Sequence, residues 1–163
     1  MFKKKLEVIF LSIITIAILI LAKNFYDSYS YKHNDISESY KQLISNKEQE
    51  VLKLMKYHYG FSFKVPLIVT DEFKGRLYGL TSYDNGDIKI YLNKKVMRES
   101  MEYIVDSVIA HEYAHALIFK LGYIHSKDDG HSAKWLQACI NLGGVNCQQY
   151  VDSRDVVIGK MLF

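Results

Sequence analysis

An unbroken apolar run occupies residues 6–22, directly after three lysines, and its only polar members are one glutamate, one serine and one threonine. A helix over this run spans roughly 25 Å, the lower limit for crossing a bilayer core about 30 Å thick. The pattern predicts a short membrane anchor or a signal peptide. We favour an uncleaved anchor, residues 1–23, because Ile20-Leu21-Ala22 only loosely matches a small-x-small cleavage site.

The charges on either side of this run predict its orientation. Three lysines and the terminal amine precede the run, whereas Lys23 and Lys32 follow it more sparsely. Because cytoplasmic flanks carry the excess of positive charge, we expect a cytoplasmic N-terminus and a single membrane pass through residues 6–22. The rest of the chain would then be extracytoplasmic, and it would be secreted if the segment were cut.

A domain of its own is predicted to follow the anchor. Residues 24–35 are polar and rich in tyrosine and show no clear period, which suggests a tether. Apolar residues then recur at helical spacing over residues 36–59, and Gly60 suits the end of that helix. We therefore place the domain in residues 36–163.

Two further helices are predicted by the same apolar spacing. One covers about residues 101–121 and is followed by Gly122, which suits a helix end. The other covers about residues 131–142 and is followed by Gly143-Gly144.

Three β-rich runs lie between the first and second helices of the domain. Residues 61–70 contain the sole proline, Pro66, which predicts an edge strand or a first strand. Residues 76–83 and 88–92 flank Asn85-Gly86, and Asn-Gly between such runs is a strong hairpin signal. The order of elements predicts an α+β domain in which a small sheet packs on helices.

The composition fits one globular domain and gives no sign of nucleic-acid binding. Of the 163 residues, 49% are hydrophobic and 13% are aromatic, which is enough for a core. The formal net charge is +3, of which residues 1–22 carry +2, so the domain is close to neutral. Cys139 and Cys147 lack the C-x-x-C spacing of a zinc knuckle or redox motif, so a disulfide and two thiols both stay open. An oxidising exterior would favour the disulfide.

The second helix of the domain contains the motif His111-Glu112-Tyr113-Ala114-His115, or H-E-x-x-H. Residues four apart lie on one helix face, so His111 and His115 can present two imidazoles to one metal ion, with Glu112 beside them to activate water. A glutamate between two histidines in an otherwise apolar helix is hard to explain as a core residue. The pattern predicts a catalytic zinc site.

A catalytic zinc ion needs three protein ligands, so one must come from outside the motif. The metzincin pattern is excluded because Ile118 and Leu121 stand at its glycine and histidine positions. A downstream glutamate is also excluded, because Glu112 is the last glutamate of the chain. We favour His131, which begins a helix and can be held rigidly. The remaining candidates are His125, Asp128, Asp129, Asp152 and Asp155.

The two metal-binding segments resemble the SprT-like zinc metallopeptidases, a family that includes the Spartan protease domain. Residues 111–119 read H-E-Y-A-H-A-L-I-F and residues 130–135 read G-H-S-A-K-W, similar to the family's H-E-x-x-H-A and G-H-G-x-x-F type segments. The resemblance covers about residues 38–145 and includes the predicted hairpin. It implies a zincin-like fold, peptidase activity on a protein or peptide substrate, and Zn²⁺ bound by the histidines of these segments: His111, His115 and His131.

The chain departs from the family pattern in several places. Ser132 replaces the glycine after the third histidine, and Trp135 stands where phenylalanine is usual. The best-known relatives are soluble and process proteins crosslinked to DNA, whereas this chain has a predicted membrane segment and lacks the cysteine-rich zinc ribbon of some members. We therefore carry over the fold and the peptidase chemistry, but not the DNA-linked role.

The expected reaction is hydrolysis of a peptide bond by zinc-activated water, with Glu112 as general base and later as proton donor to the leaving amine. The substrate would lie extended along an edge strand of the hairpin sheet. Four side chains are candidates for stabilising the oxyanion, although core packing is the commoner role of a tyrosine. They are Arg76, Tyr78, Tyr83 and Tyr113.

Two other functions fit parts of the pattern. One is a non-enzymatic, membrane-tethered assembly module with a structural zinc. A structural zinc site has a fourth protein ligand rather than a base such as Glu112, which argues against this function. The other is a cytoplasmic-facing SprT-like protease acting on DNA-bound protein, which the N-terminal lysines and the near-neutral domain disfavour. The sequence does not predict an oligomeric state.

Overall fold

A computed structural model of the chain describes residues 2–73, 77–123 and 130–148. The chain divides into two compact units, Met1–Ile36 and Ser37–Phe163.

The first unit contains helix α1, Phe2–His33, whose described side chains are almost all exposed. Among the helices that the structure describes, α1 is the one long and apolar enough to cross a membrane, although a signal sequence would pass the same test. The hydroxyls of Ser12 and Thr15 donate to the carbonyls of Val8 and Leu11 at 2.8 and 2.9 Å. The helix extends past the apolar run through most of residues 24–35, which contain neither glycine nor proline.

The second unit begins with helix α2, Glu38–Tyr59. Ser37 caps its start by accepting a hydrogen bond from the amide of Tyr40, and Gly60 ends it with a φ of 78°. The apolar stripe predicted from the sequence is buried at Ile44, Val51 and Met55.

The sheet has three strands, β1 Leu67–Thr70, β2 Gly79–Asp84 and β3 Asp87–Asn93, in the order β1-β3-β2. β1 pairs with β3 in parallel, and β2 pairs with β3 antiparallel. The predicted hairpin is confirmed: Asn85 and Gly86 both have positive φ, as a two-residue hairpin turn requires. Among the described strands, β1 comes first in the chain and lies at an edge of the sheet, which agrees with the prediction of an edge strand or a first strand, and it begins directly after Pro66.

In the described part of the chain after the sheet, four shorter helical elements and one π-helical segment are present. They are α3 Lys94–Glu99, α4 Met101–Tyr103, the π-helical segment Ile104–Val108, α5 Ile109–Lys120 and α6 Ala133–Asn141. Helix α3 was not predicted from the sequence. The Asn93 side chain caps it by accepting a hydrogen bond from the amide of Lys95 at 3.0 Å. The predicted helix over residues 101–121 is present, but its second turn is wound as a π-helix.

Helix α5 lies at the centre of the second unit, where it contacts α2, α6, β2 and β3. Its side chains at Ile109, Tyr113 and Leu117 are fully buried. The α+β class and the small sheet are thus confirmed. Cys139 and Cys147 form a disulfide, which settles the alternative that spacing left open.

Candidate metal centre

Three histidine side chains converge at one point, and we call them the histidine triad: His111 and His115 on α5 and His131 just before α6. The Nε2 atom of His111 lies 3.3 Å from the Nε2 atoms of both His115 and His131. Two nitrogens bound to one tetrahedral zinc ion at 2.0–2.1 Å are themselves roughly 3.3 Å apart. The triad therefore has the donor type and spacing for one metal ion, and its geometry is compatible with zinc.

Local sequence signals place the third histidine. Gly130 has a φ of 84°, a conformation that favours glycine and turns the chain into His131. Ser132 then caps α6 by accepting a hydrogen bond from the amide of Trp135 at 3.3 Å. The serine that departs from the family pattern thus serves as a helix cap.

The indole of Trp135 backs the histidine triad. Its ring centroid lies 4.7 Å from that of His111, 5.2 Å from that of His115 and 4.4 Å from that of His131. Trp135 is 1% exposed and is the sole tryptophan of the chain. The indole limits the rotation of the three imidazoles, and its fluorescence reports on the site alone.

Glu112 is 5% exposed, and its carboxylate faces strand β2. The Thr81 hydroxyl lies 2.6 Å from Glu112 Oε2 and 2.9 Å from the Glu112 carbonyl oxygen. Burial raises the pKa of Glu112 from 4.5 to about 7, against the opposing effect of the Thr81 hydrogen bond. A carboxylate with a pKa near neutrality can both accept and return a proton.

Gly79 allows β2 to approach Glu112 closely. A Cβ at this position would lie 2.7 Å from Glu112 Oε1 and 2.8 Å from Val108 Cγ1. No larger residue fits without displacing the carboxylate, so Gly79 fixes the distance between the strand and the motif.

Two members of the triad are held in the neutral form. Burial lowers the pKa of His111 from 6.5 to about 4, and the charge of His131 adds to this shift. Burial, followed by the charges of His111 and His131, lowers the pKa of His115 to about 3. Because neutral imidazole is the metal-binding form, both side chains are ready to bind a metal at neutral pH.

The triad and Glu112 line a cleft of about 620 Å³. Strand β2 forms one side of the cleft with residues 79–81, and it is an edge strand among those that the structure describes, where β3 alone pairs with it. Leu80 is 48% exposed, so part of the cleft surface is apolar. Asn146 and Gln148, from the segment after α6, also line the cleft.

The four oxyanion candidates have different positions. Tyr78 lines the cleft and contacts Tyr103 edge-to-face, with ring centroids 5.2 Å apart. Tyr83 stacks on Phe119 at 5.3 Å, and Tyr113 is fully buried and donates to Glu48. These two tyrosines have packing contacts instead of a place at the cleft. Arg76 lies outside the described residues.

The other candidates for a third ligand, His125, Asp128, Asp129, Asp152 and Asp155, also lie outside the described residues. Thr81 was not predicted as the partner of Glu112, and Asn146 and Gln148 were not predicted to line the cleft. A hydroxyl on the strand before the motif was the available signal for Thr81. No sequence signal was available for Asn146 and Gln148, because the position of a segment beyond the end of a helix is determined by tertiary contacts.

A comparison with known families matches residues 49–154 to the SprT-like family. No protein with curated annotation matches the chain. The matched region contains the sheet, both helices of the site, the histidine triad and Glu112. The chain belongs to the SprT-like family.

Proposed function

We propose that this protein is a membrane-anchored, zinc-dependent metallopeptidase with a zincin-like active site. The observation that carries the proposal is the triad of Nε2 atoms with the buried carboxylate of Glu112 lining the same cleft. Three nitrogen ligands leave one tetrahedral position for water or substrate, which distinguishes a catalytic zinc site from a closed structural one. A zinc ion bound there would supply Lewis acidity, which acidifies water and polarises a peptide carbonyl.

Glu112 is the general base of the proposed reaction. Its carboxylate takes a proton from the attacking water and later gives it to the amine that leaves. Thr81 holds one carboxylate oxygen, and Gly79 lets the strand come close enough for this contact. Trp135 keeps the three imidazoles in position.

The substrate is an unfolded or extended segment of protein. Strand β2 has one edge unpaired by the other described strands and lies along the cleft, so a peptide can add to the sheet through its main chain. Backbone pairing reads no side chains, so it gives broad specificity. Exposed Leu77 and Leu80 favour apolar side chains at one or two substrate positions.

The domain is proposed to lie outside the cytoplasm, anchored through residues 6–22. Two features of different kinds support this topology. The three lysines before the apolar run favour a cytoplasmic N-terminus. The disulfide between Cys139 and Cys147 is a bond that persists in oxidising compartments and is rare in the cytosol.

The test is metal content together with hydrolysis, measured on the full chain in detergent. The parent protein is expected to bind one zinc per chain and to cleave fluorescein-labelled β-casein, and a chelator should abolish the cleavage. His131→Ala is compared with His58→Ala, which changes an exposed histidine on α2. We expect His131→Ala to lose zinc and activity, and His58→Ala to keep both.

Each failure has a separate meaning. A folded parent that binds no zinc contradicts the metal site. A parent that binds zinc but cleaves neither casein nor other unfolded proteins contradicts the peptidase activity and favours a binding module. Full activity in His131→Ala contradicts the role of the third histidine.

A further inference from the structure

Residues 143–148, which we call the cysteine loop, return from the end of α6 to the active-site cleft. Asn146 and Gln148 line this cleft together with β2 and the histidine triad. Neither amide has a role in the zinc site or in the proton transfer assigned to Glu112. Gln148 is exposed and Asn146 is half-buried, so both amides lie at the surface of the cleft.

The cysteine loop is fixed at several points. The disulfide ties Cys147 back to Cys139 on α6, and the amide of Val145 donates to the carbonyl of Asp106 at 3.2 Å. Lys47 Nζ donates to the carbonyl of Gly143 at 3.2 Å. These contacts join the loop to α6, to the π-helical segment and to α2, so its place in the cleft is set by three elements.

Gly144 shows how closely the loop folds onto the disulfide. A Cβ at this position would lie 2.6 Å from the sulfur of Cys139 and 2.8 Å from that of Cys147. The backbone thus passes against the sulfur pair, with the Gly144 amide donating to the carbonyl of Cys139 at 3.0 Å. A disulfide enclosed in this way orients the residues on both sides of Cys147, which are the two that line the cleft.

A peptide that adds to β2 leaves main-chain groups on its other edge without partners. In a sheet, alternate N–H and C=O groups of a strand point to opposite edges, so only half of them meet β2. Asparagine and glutamine side chains carry both a donor and an acceptor, and they can therefore bond to either kind of main-chain group. Side-chain amides that line the same cleft as β2 can therefore form hydrogen bonds with the edge of the peptide that faces away from β2.

We propose that Asn146 and Gln148 bind the main chain of an extended substrate on the edge that β2 leaves unpaired, and that the Cys139–Cys147 disulfide holds them in position. This inference rests on the proposed function, because it assigns residues to the substrate of the same cleft. The disulfide acts through the amides, so its removal weakens substrate binding while the zinc site remains. The substrate is recognised by its backbone on both edges.

The experiment separates binding from hydrolysis. Fluorescence anisotropy measures the Kd of fluorescein-labelled β-casein for the full chain in detergent, in a Glu112→Gln background that prevents cleavage. Asn146→Ala with Gln148→Ala is compared with Gln137→Ala, which removes an amide on α6 that bonds to Asn141 and does not line the cleft. Cys139→Ser with Cys147→Ser tests the positioning role.

We expect the double amide variant to raise the Kd by about 5–150-fold, because two hydrogen bonds are lost and each contributes roughly 0.5–1.5 kcal/mol. Gln137→Ala should leave the Kd unchanged. The double serine variant should raise the Kd in the same direction and by a smaller factor, with zinc content unchanged. In the active background, the amide variant should raise KM and leave kcat within about twofold.

Several outcomes would overturn the proposal. An unchanged Kd in the double amide variant contradicts the binding role, and so does a parent that does not bind β-casein at all. If the double serine variant has the same Kd as its parent, the proposed positioning role of the disulfide is contradicted. The Kd is measured in a background that does not cleave the substrate, so these results can be distinguished from a failure of the peptidase activity. In that case β-casein would bind to the parent but would not be cleaved.

Discussion

Helices α1 and α5 are both rich in apolar residues, and they differ in where their polar groups find partners. In α1, the hydroxyls of Ser12 and Thr15 bond to carbonyls one turn earlier in the same helix. In α5, Tyr113 bonds to Glu48 on α2, at 2.7 Å and 65 positions away in the chain. Glu112 bonds to Thr81 on β2, 31 positions away.

The difference shows which helix depends on the rest of the fold. A helix that satisfies its own polar groups meets the requirement that lipid imposes, since no water is available there. A helix whose polar groups have distant partners is functional only when those partners are in place. The following variants test this contrast, from the largest expected effect to the smallest.

Glu112→Gln should reduce hydrolysis by about 10²–10⁴-fold, because it removes the group that accepts and returns a proton. The zinc content should stay at one per chain, since Glu112 is not a member of the triad. Initial rates with labelled casein measure the effect, and Glu102→Gln, an exposed carboxylate upstream in the same helical region, is the matched control. Residual activity within tenfold of the parent contradicts the role of Glu112.

The same substitution should change how the stability of the metal-free domain depends on pH. Burial raises the pKa of Glu112 from 4.5 to about 7, so between these values the folded state holds a proton that the unfolded chain has released. Stability therefore falls as pH rises through this interval, by about 3 kcal/mol in total. The Glu112→Gln variant has no such carboxyl and does not lose this stability. The free energy of unfolding of the variant should therefore increase relative to that of the parent between pH 4.5 and pH 7.

Urea unfolding with a chelator present, followed by Trp135 fluorescence, measures both proteins across this range. As pH falls below 6.5, His111 and His115 take up protons in the unfolded chain before they do so in the folded protein, because their pKa values are lowered by folding. This destabilises the parent and the variant to the same extent. The difference between the two curves therefore isolates the carboxyl. A difference that does not vary with pH contradicts the assigned pKa.

Tyr113→Phe should destabilise the domain by about 1–3 kcal/mol. It removes the hydroxyl that donates to Glu48, a carboxylate that is 4% exposed and also forms an ion pair with Lys64 at 2.7 Å. Urea unfolding measures the loss, and Tyr57→Phe, at an 82% exposed position of α2, serves as control. Equal stability of the two variants would show that the long-range bond contributes nothing.

Ser12→Ala with Thr15→Ala in α1 should have the smallest effect. The lost hydrogen bonds lie within one helix, so we expect unchanged membrane association and a domain stability within about 0.5 kcal/mol of the parent. Sedimentation with membranes after alkaline extraction measures association. Ile14→Lys is the contrasting variant, because a charge near the middle of the run costs roughly 2.5–3.5 kcal/mol on insertion. Equal retention of both variants contradicts membrane insertion of α1.

The sequence predicts those parts of the fold that local signals determine. Asn85-Gly86 marks the hairpin, Gly60 and Gly122 mark helix ends, and apolar spacing marks the helix of the motif. Helix α3 has only six residues, too few for a periodic pattern to be recognised. Its existence depends on the cap that Asn93 provides at the end of β3.

The residues of the site also divide into those that local sequence signals predict and those that they do not. Two histidines four residues apart define their own geometry, so His111 and His115 could be placed together from the sequence. His131 needed an argument about helix starts, and Thr81 had no signal strong enough to single it out. The disulfide between Cys139 and Cys147 depends on the path of the chain after α6, which spacing alone does not determine.

The π-helical segment Ile104–Val108 precedes the motif by less than one turn. A π-helical turn holds about one residue more than an α-helical turn, and one residue corresponds to roughly 100° of rotation about the axis. Loss of one residue here would turn the motif histidines by about that angle relative to the start of the helix. A one-residue gap at this place between two relatives would therefore mark a change in helix phase, and with it the direction in which the metal ligands point.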